Sequence, residues 1–177
     1  KTSVIKELVY HIFKSTESNI GMIMLEESPK ITALDIMGTE ANLPLRRPDI
    51  NLSDEDKTNY FNKTIGTGRF YFYNHFGSNS VDNIIARVRY MAKALDCKWV
   101  FLDHLSILVS GQEDNGDERK SIDILMTKLR SLVEETGIGL LLVSHLRRPA
   151  GDRGHEDGRE VSLSHLRGSA SIAHLSD

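Results

Sequence analysis

Apolar residues recur along the chain with two alternating periods. Val4, Ile5, Leu8, Val9, Ile12 and Phe13 stand three or four positions apart, the spacing of one helix face. Ile20 to Met24 (IGMIM) is a short, nearly continuous apolar run, which suits a parallel strand buried on both faces. A second helix is expected from Pro29 to about Thr39, with Ser28 as N-cap and Pro29 in the first turn. Residues 40–68 carry Pro44, Pro48 and the polar stretch NLSDEDKTN; they read as a loop with a short helix near Asp54 to Thr64. The alternating, aromatic FYFYNHF, Phe70 to Phe76, reads as a strand. Ser80 can cap a helix bearing Val81, Ile84, Ile85, Val88, Ala92 and Leu95 on one side, and Trp99 to Leu102 (WVFL) is another buried strand.

The polar, acidic run Gly111 to Lys120 reads as a loop. Ile122, Leu125, Met126, Leu129, Leu132 and Val133 then mark a third clear helix, ended by Gly137. Ile138 to Val143 (IGLLLV) is the next strand, and residues 147–160 form a charged, Gly-rich loop. Strands alternating with crossover helices predict an α/β fold with a mostly parallel sheet and helices on both faces.

Composition narrows the function classes. The 177 residues are 40% hydrophobic and 27% charged, ordinary for a globular domain with a sizeable core. No apolar run is long enough to span a membrane, and the first residues lack the pattern of a secretory signal. The chain does not begin with Met, so its natural N-terminus is expected upstream. With 22 basic and 25 acidic side chains the net charge is −3, so any contact with nucleic acid must come from a local basic patch. The single cysteine, Cys97, excludes an internal disulfide, fits a reducing compartment and reads as a buried thiol.

Chemistry is expected at the strand ends. The strand through Leu25 runs into Glu26, the strand through Leu102 into Asp103, and the strand through Val143 into Ser144 and His145. In an open parallel sheet all these ends share one edge, where ligands bind. Lys1-Thr2 opens an amphipathic helix, as the last two positions of a phosphate loop GxxxxGK[ST] do. A triphosphate needs a cation at its β- and γ-phosphates, which Lys1 can supply. Mg²⁺ takes hard oxygen ligands, which Thr2 and Asp103 can provide. Glu26 can serve the attacking water as base, and His145 can sense the γ-phosphate. Glu27 reads as a solvated charge, His104 as a structural side chain, and His155, Glu156 and Asp157 as a solvated run in a Gly-rich loop.

Five segments stand in order at compatible spacing: MLEES (24–28), FLDHLSILVS (101–110), DERKSIDILMTKLR (117–130), LLVSHLRRP (141–149) and VSLSHLRGSASIAHLSD (161–177). Together they resemble the helicase domain of the T-odd bacteriophage primase–helicases. These belong to the DnaB-like replicative helicase group, built on a RecA-type P-loop NTPase core, which includes the mitochondrial replicative helicase. The resemblance covers essentially the whole chain, most weakly at residues 40–68.

It implies a helicase motor that hydrolyses ATP or dTTP with Mg²⁺, moves 5′-to-3′ on single-stranded DNA and unwinds duplex. Lys1 and Thr2 match the end of the phosphate loop, Glu26 the catalytic base, Asp103 the Mg²⁺-holding acid and His145 the phosphate sensor. Arg147, Arg148 and Arg153 fall in a DNA-contacting loop, and Arg167 and Gly168 in a second DNA-contacting region. Ala150-Gly151 departs from the basic residue expected there, and Ala173-His174 from the usual charged residue followed by Gln. The family implies a hexameric or heptameric ring, a primase attached or separate, a replicative polymerase as partner, and the cytoplasm of an infected bacterium, a bacterium, or the mitochondrial matrix. Residues 1–177 are then a partial domain. The first strand with the Gly-rich part of the phosphate loop, and the C-terminal strands with the arginine finger, are expected outside it. Within the same fold the alternative is a recombination or repair ATPase on single-stranded DNA; outside it, a nucleotide-dependent switch without motor action.

Overall fold

Ile20, Met22 and Met24 join one hydrophobic core, while Ile23 and Leu25 join another. This two-residue alternation is a strand's side-chain period, and both faces are apolar because both are covered. The computed structural model describes residues 2–74, 80–105, 118–146, 162, 166 and 171–176. Its elements are α1 (Thr2–Ser15), β1 (Asn19–Met24), α2 (Pro29–Ala41), α3 (Asp54–Lys63), a 3-10 turn (Ile65–Thr67), β2 (Phe70–Phe72), α4 (Val81–Lys93), β3 (Cys97–Asp103), α5 (Glu118–Thr136), β4 (Gly139–Leu142) and the short α6 (Ser171–His174). The four strands pair in parallel in the order β2-β1-β3-β4.

Val9, Ile12 and Phe13 of α1 and Ile36 of α2 cover one face, against Ile20, Met22, Met24, Phe70 and Phe101. The other face packs Val100 and Leu102 of β3 against α4 (Ile84, Val88, Met91) and α5 (Ile122, Leu125, Leu129). A close approach explains Gly21: a Cβ there would stand 2.6 Å from Met91 Sδ and 3.2 Å from Val100 Cγ2. Gly139 is tighter still, since its Cβ would lie 2.3 Å from the Trp99 ring.

Helix boundaries follow local chemistry. The Ser80 hydroxyl accepts from Asn83 N–H at 3.3 Å, and Ser53 from Asp56 N–H at 3.0 Å, each satisfying an unpaired first-turn donor. Ser28 holds the N-cap position of α2 without a side-chain cap bond; Pro29 at the helix start sets the conformation. Gly137 closes α5 at φ 68°, donating to Val133 O at 2.7 Å.

Several boundaries differ from the sequence reading. The expected strand Phe70 to Phe76 pairs only over Phe70–Phe72; Tyr73 adds one bond to Met22 O at 2.9 Å, and residues 75–79 lie outside the described part. α5 begins at Glu118, inside the expected loop 111–120, because ERK continues the helical turn. On α1 the apolar stripe is rotated: Val4 is 72% exposed and Leu8 37%, while the cation Lys6 is buried. The apolar run of β4 implies full burial, yet all four of its residues are half-buried. It is the last strand of the sheet among the described residues, and a cavity of about 460 Å³ lined by Trp99, Leu129, Ile138, Leu141 and Leu175 lies against it. No helix among the described residues is long and apolar enough to cross a membrane.

Candidate functional site

Parallel register brings the strand ends together. Met24 of β1 stands opposite Asp103 of β3, and Leu25 N–H donates to Asp103 O at 2.6 Å. Just beyond these ends, Glu26 and His104 lie side by side: His104 Nε2 is 2.8 Å from Glu26 Oε1. β4 is tied in beyond its last ladder pair, with Val143 N–H donating to Leu102 O (3.0 Å) and Leu105 N–H to Val143 O (3.1 Å). That delivers His145 onto His104, ring centroids 3.8 Å apart and planes at 39°. From the opposite side the first turn of α1 reaches the same edge, where the Thr2 hydroxyl donates to Asp103 Oδ2 at 2.7 Å.

The environments of these groups differ, and so does what they can do. Asp103 and His104 are buried at 2% and 5% exposure, whereas the Glu26 side chain is 49% exposed. A carboxylate half open to solvent beside a buried acid can face a water molecule directly. Thr2 and Asp103 present adjacent hard oxygens, a donor set that fits Mg²⁺ rather than a soft metal. The ligand atoms of Glu26, His104 and His145 lie within 4.8 Å of one another. Here, however, the two rings pack on each other and Glu26 takes the His104 Nε2 atom, so hydrogen bonding and ring contact account for the cluster. The Asp103–His104 peptide bond is cis.

Four residues singled out in the sequence thus converge: Thr2, Glu26, Asp103 and His145. Lys1, Arg147, Arg148, Arg153, Arg167 and Gly168 lie outside the described residues, as do His155, Glu156 and Asp157. His104, read from the sequence as a structural side chain, lies against both Glu26 and His145. The signal was available, since parallel strand tips that bring Glu26 near Asp103 bring the residue after Asp103 nearer still.

The reading of Glu27 as a solvated charge is corrected. Instead of being solvated, Glu27 is 2.5 Å from Lys6 Nζ and 3.0 Å from Arg46 Nη2, and it accepts from the Thr32 hydroxyl at 2.6 Å. Asp35 joins the same network through Lys6 and Arg46. Burial alone would raise the Asp35 pKa, but hydrogen bonds from Arg46 and Lys6 hold it below the ordinary carboxylate value. These ion pairs border a cavity of about 520 Å³ between α1, α2 and the residues after α2. Lys6, Asp35 and Arg46 on its wall are already paired with one another and with Glu27. Cys97 matches its reading as an inert thiol: burial, aided by Asp96, pushes its pKa up to about 11.

The family described as the DnaB-like helicase C-terminal domain matches residues 1–177. The DNA helicase/primase of Enterobacteria phage T3 is 35% identical over 181 residues, covering 100% of this chain and 32% of the phage protein. The chain therefore spans about a third of that relative's length. Among solved structures, one described as an ATPase domain superposes with a TM-score of 0.72 at 19% identity, covering 100% of this chain and 63% of the other. A DnaB-like replicative helicase, solved in a study of its interactions with primase, superposes with a TM-score of 0.69 at 19% identity, covering 91% and 39%. Residues 1–177 belong to the DnaB-like helicase C-terminal domain family, on an α/β, RecA-like fold.

Proposed function

We propose that this chain is the NTP-hydrolysing motor of a replicative DNA helicase that moves 5′-to-3′ on single-stranded DNA and unwinds duplex. The observation that carries it is the meeting of Thr2 with Asp103, and of Glu26 with His104 and His145, on the carboxyl edge of one parallel sheet. Lys1 would neutralise the β- and γ-phosphates of ATP or dTTP. Thr2 and Asp103 would hold Mg²⁺, which when bound offsets charge on the phosphate oxygens. Glu26 would accept the proton of the attacking water. His145, at the tip of β4, would read the γ-phosphate and pass its loss to the residues that follow. There Arg147, Arg148 and Arg153, with Arg167 and Gly168, would grip the DNA backbone through sequence-independent, salt-sensitive contacts.

The sheet supports a larger whole. The outer edge of β4 has no strand partner among the described residues and is flanked by apolar side chains, which fits a further strand carrying the Gly-rich part of the phosphate loop. The working form would be a hexameric or heptameric ring in the cytoplasm of the host cell, cooperating with a primase and the replicative polymerase.

The test is hydrolysis and unwinding by the full-length protein on a forked duplex. The motor reading requires DNA-stimulated NTP hydrolysis coupled to strand separation. Strand exchange without unwinding would favour a recombination ATPase, and hydrolysis indifferent to DNA would favour a switch.

A further inference from the structure

The His104 imidazole occupies an unusual position. It is buried beside the acid Asp103, yet its Nε2 reaches out to Glu26, half exposed at 2.8 Å. A carboxylate accepts hydrogen bonds, so the ring presents its Nε2–H tautomer toward Glu26. Nδ1, on the far side, is buried with no hydrogen-bond partner among the described residues. A buried polar atom without a partner is costly, so packing alone would favour an apolar ring here. The ring's other neighbour is His145, 3.8 Å away at the tip of the next strand.

We infer that His104 is a positioning residue for hydrolysis. Its Nε2–H fixes the Glu26 carboxylate, and its ring ties that carboxylate to His145 on β4. Glu26 lies beyond the last β1–β3 ladder pair and its side chain is half open to water, so the strand itself leaves several rotamers accessible. One bond from a buried ring selects the rotamer that faces the strand-tip crevice. Because the same ring lies against His145, a shift of the β4 tip is felt at the carboxylate through His104. The two ends of the nucleotide cycle, proton abstraction and sensing of the γ-phosphate, would then share one side chain.

The inference rests on Glu26 being the base, and the experiment separates the two ideas. In the full-length protein, His104→Leu keeps bulk but removes the donor. The kcat of DNA-stimulated hydrolysis should fall about 10- to 100-fold, the scale expected when a catalytic group is misplaced by about an ångström. KM and the Kd for a fluorescent nucleotide should move less than about 3-fold, since binding energy common to ground and transition states is untouched. His104→Gln, whose amide nitrogen stands near the position of Nε2, should recover most of the lost rate; His104→Asn is too short and should not. Adding His104→Leu to Glu26→Gln should cost no further activity, because the two act through one group.

Wild-type kcat in His104→Leu, equal losses in the Gln and Asn variants, or additive losses in the double variant would each overturn the positioning role. If His104→Leu does not fold, the Gln–Asn comparison decides alone. If Glu26→Gln hydrolyses normally, the base reading falls and this inference falls with it. If Glu26→Gln is inactive and His104→Leu is not, only the role of His104 is lost.

Discussion

The Thr2 hydroxyl donates to the Asp103 carboxylate at 2.7 Å, joining residues 101 positions apart in the chain. The contact pins the start of α1 to the tip of β3, which places a helix N-terminus and a buried acid at one point on the sheet edge. Both are parts that a Mg²⁺-bound triphosphate requires. Thr2→Ala and Asp103→Asn should each abolish Mg²⁺-dependent hydrolysis, by about 100-fold or more for the acid. Thr2→Ser, which keeps the hydroxyl, should remain active. The check is hydrolysis across a Mg²⁺ titration; an Asp103→Asn variant with an unchanged Mg²⁺ requirement would show that the acid does not serve the cation.

The buried cation Lys6 predicts a pH-dependent stability effect. Its ammonium lies between Glu27 and Asp35, with Arg46 on the same carboxylates. Lys6→Met should destabilise the fold by about 2 kcal/mol at neutral pH, because it removes one of the two cations that the largely buried Glu27 and Asp35 share. Asp35 has a lowered folded pKa, so its contribution is present above the ordinary carboxylate value and lost as the pH falls through the folded one. The gap between wild type and Lys6→Met should therefore shrink below about pH 4, as Asp35 takes up its proton. Thermal melts at about pH 7 and about pH 3 bracket that window and measure it; an undiminished gap in acid would speak against the network.

β4 leads to a third expectation. Its residues are only half-buried and its outer edge has no strand beside it among the described residues. A strand edge left without a partner strand costs stability through unpaired backbone groups and exposed apolar surface. Residues 1–177 expressed alone should melt at lower temperature and with less cooperativity than a longer chain that supplies a strand beside β4, and should lack hydrolysis. A sharp cooperative melt together with NTP hydrolysis in the isolated 177 residues would contradict this.

Much of the fold could be read from apolar spacing. The runs ending at Leu25 and Leu102 form parallel strands because both of their faces are covered, and the run ending at Val143 pairs beside them although it is only half-buried. Parallel direction then forces Glu26, Asp103 and His145 to one edge. Periodicity fails where tertiary contacts override it. Lys6 is buried among carboxylates from the β1–α2 turn and α2, which no helical pattern on α1 could announce, while Val4 and Leu8 of the same pattern remain exposed. Glu27 resembles a surface charge in the sequence because its partners Lys6 and Arg46 are distant in the chain. The neighbours of His104 follow from the strand register: with Met24 opposite Asp103, the residue after Asp103 comes to lie beside Glu26.

In the proposed mechanism Glu26, at the tip of β1, removes the proton from the water that attacks a bound nucleotide. Steady-state hydrolysis by full-length Glu26→Gln, measured beside a nucleotide-binding titration, tests it most directly. Hydrolysis should fall by at least about 100-fold, the usual contribution of a general base, with nucleotide affinity nearly unchanged. A Glu26→Gln protein hydrolysing within a few-fold of wild type would contradict the account.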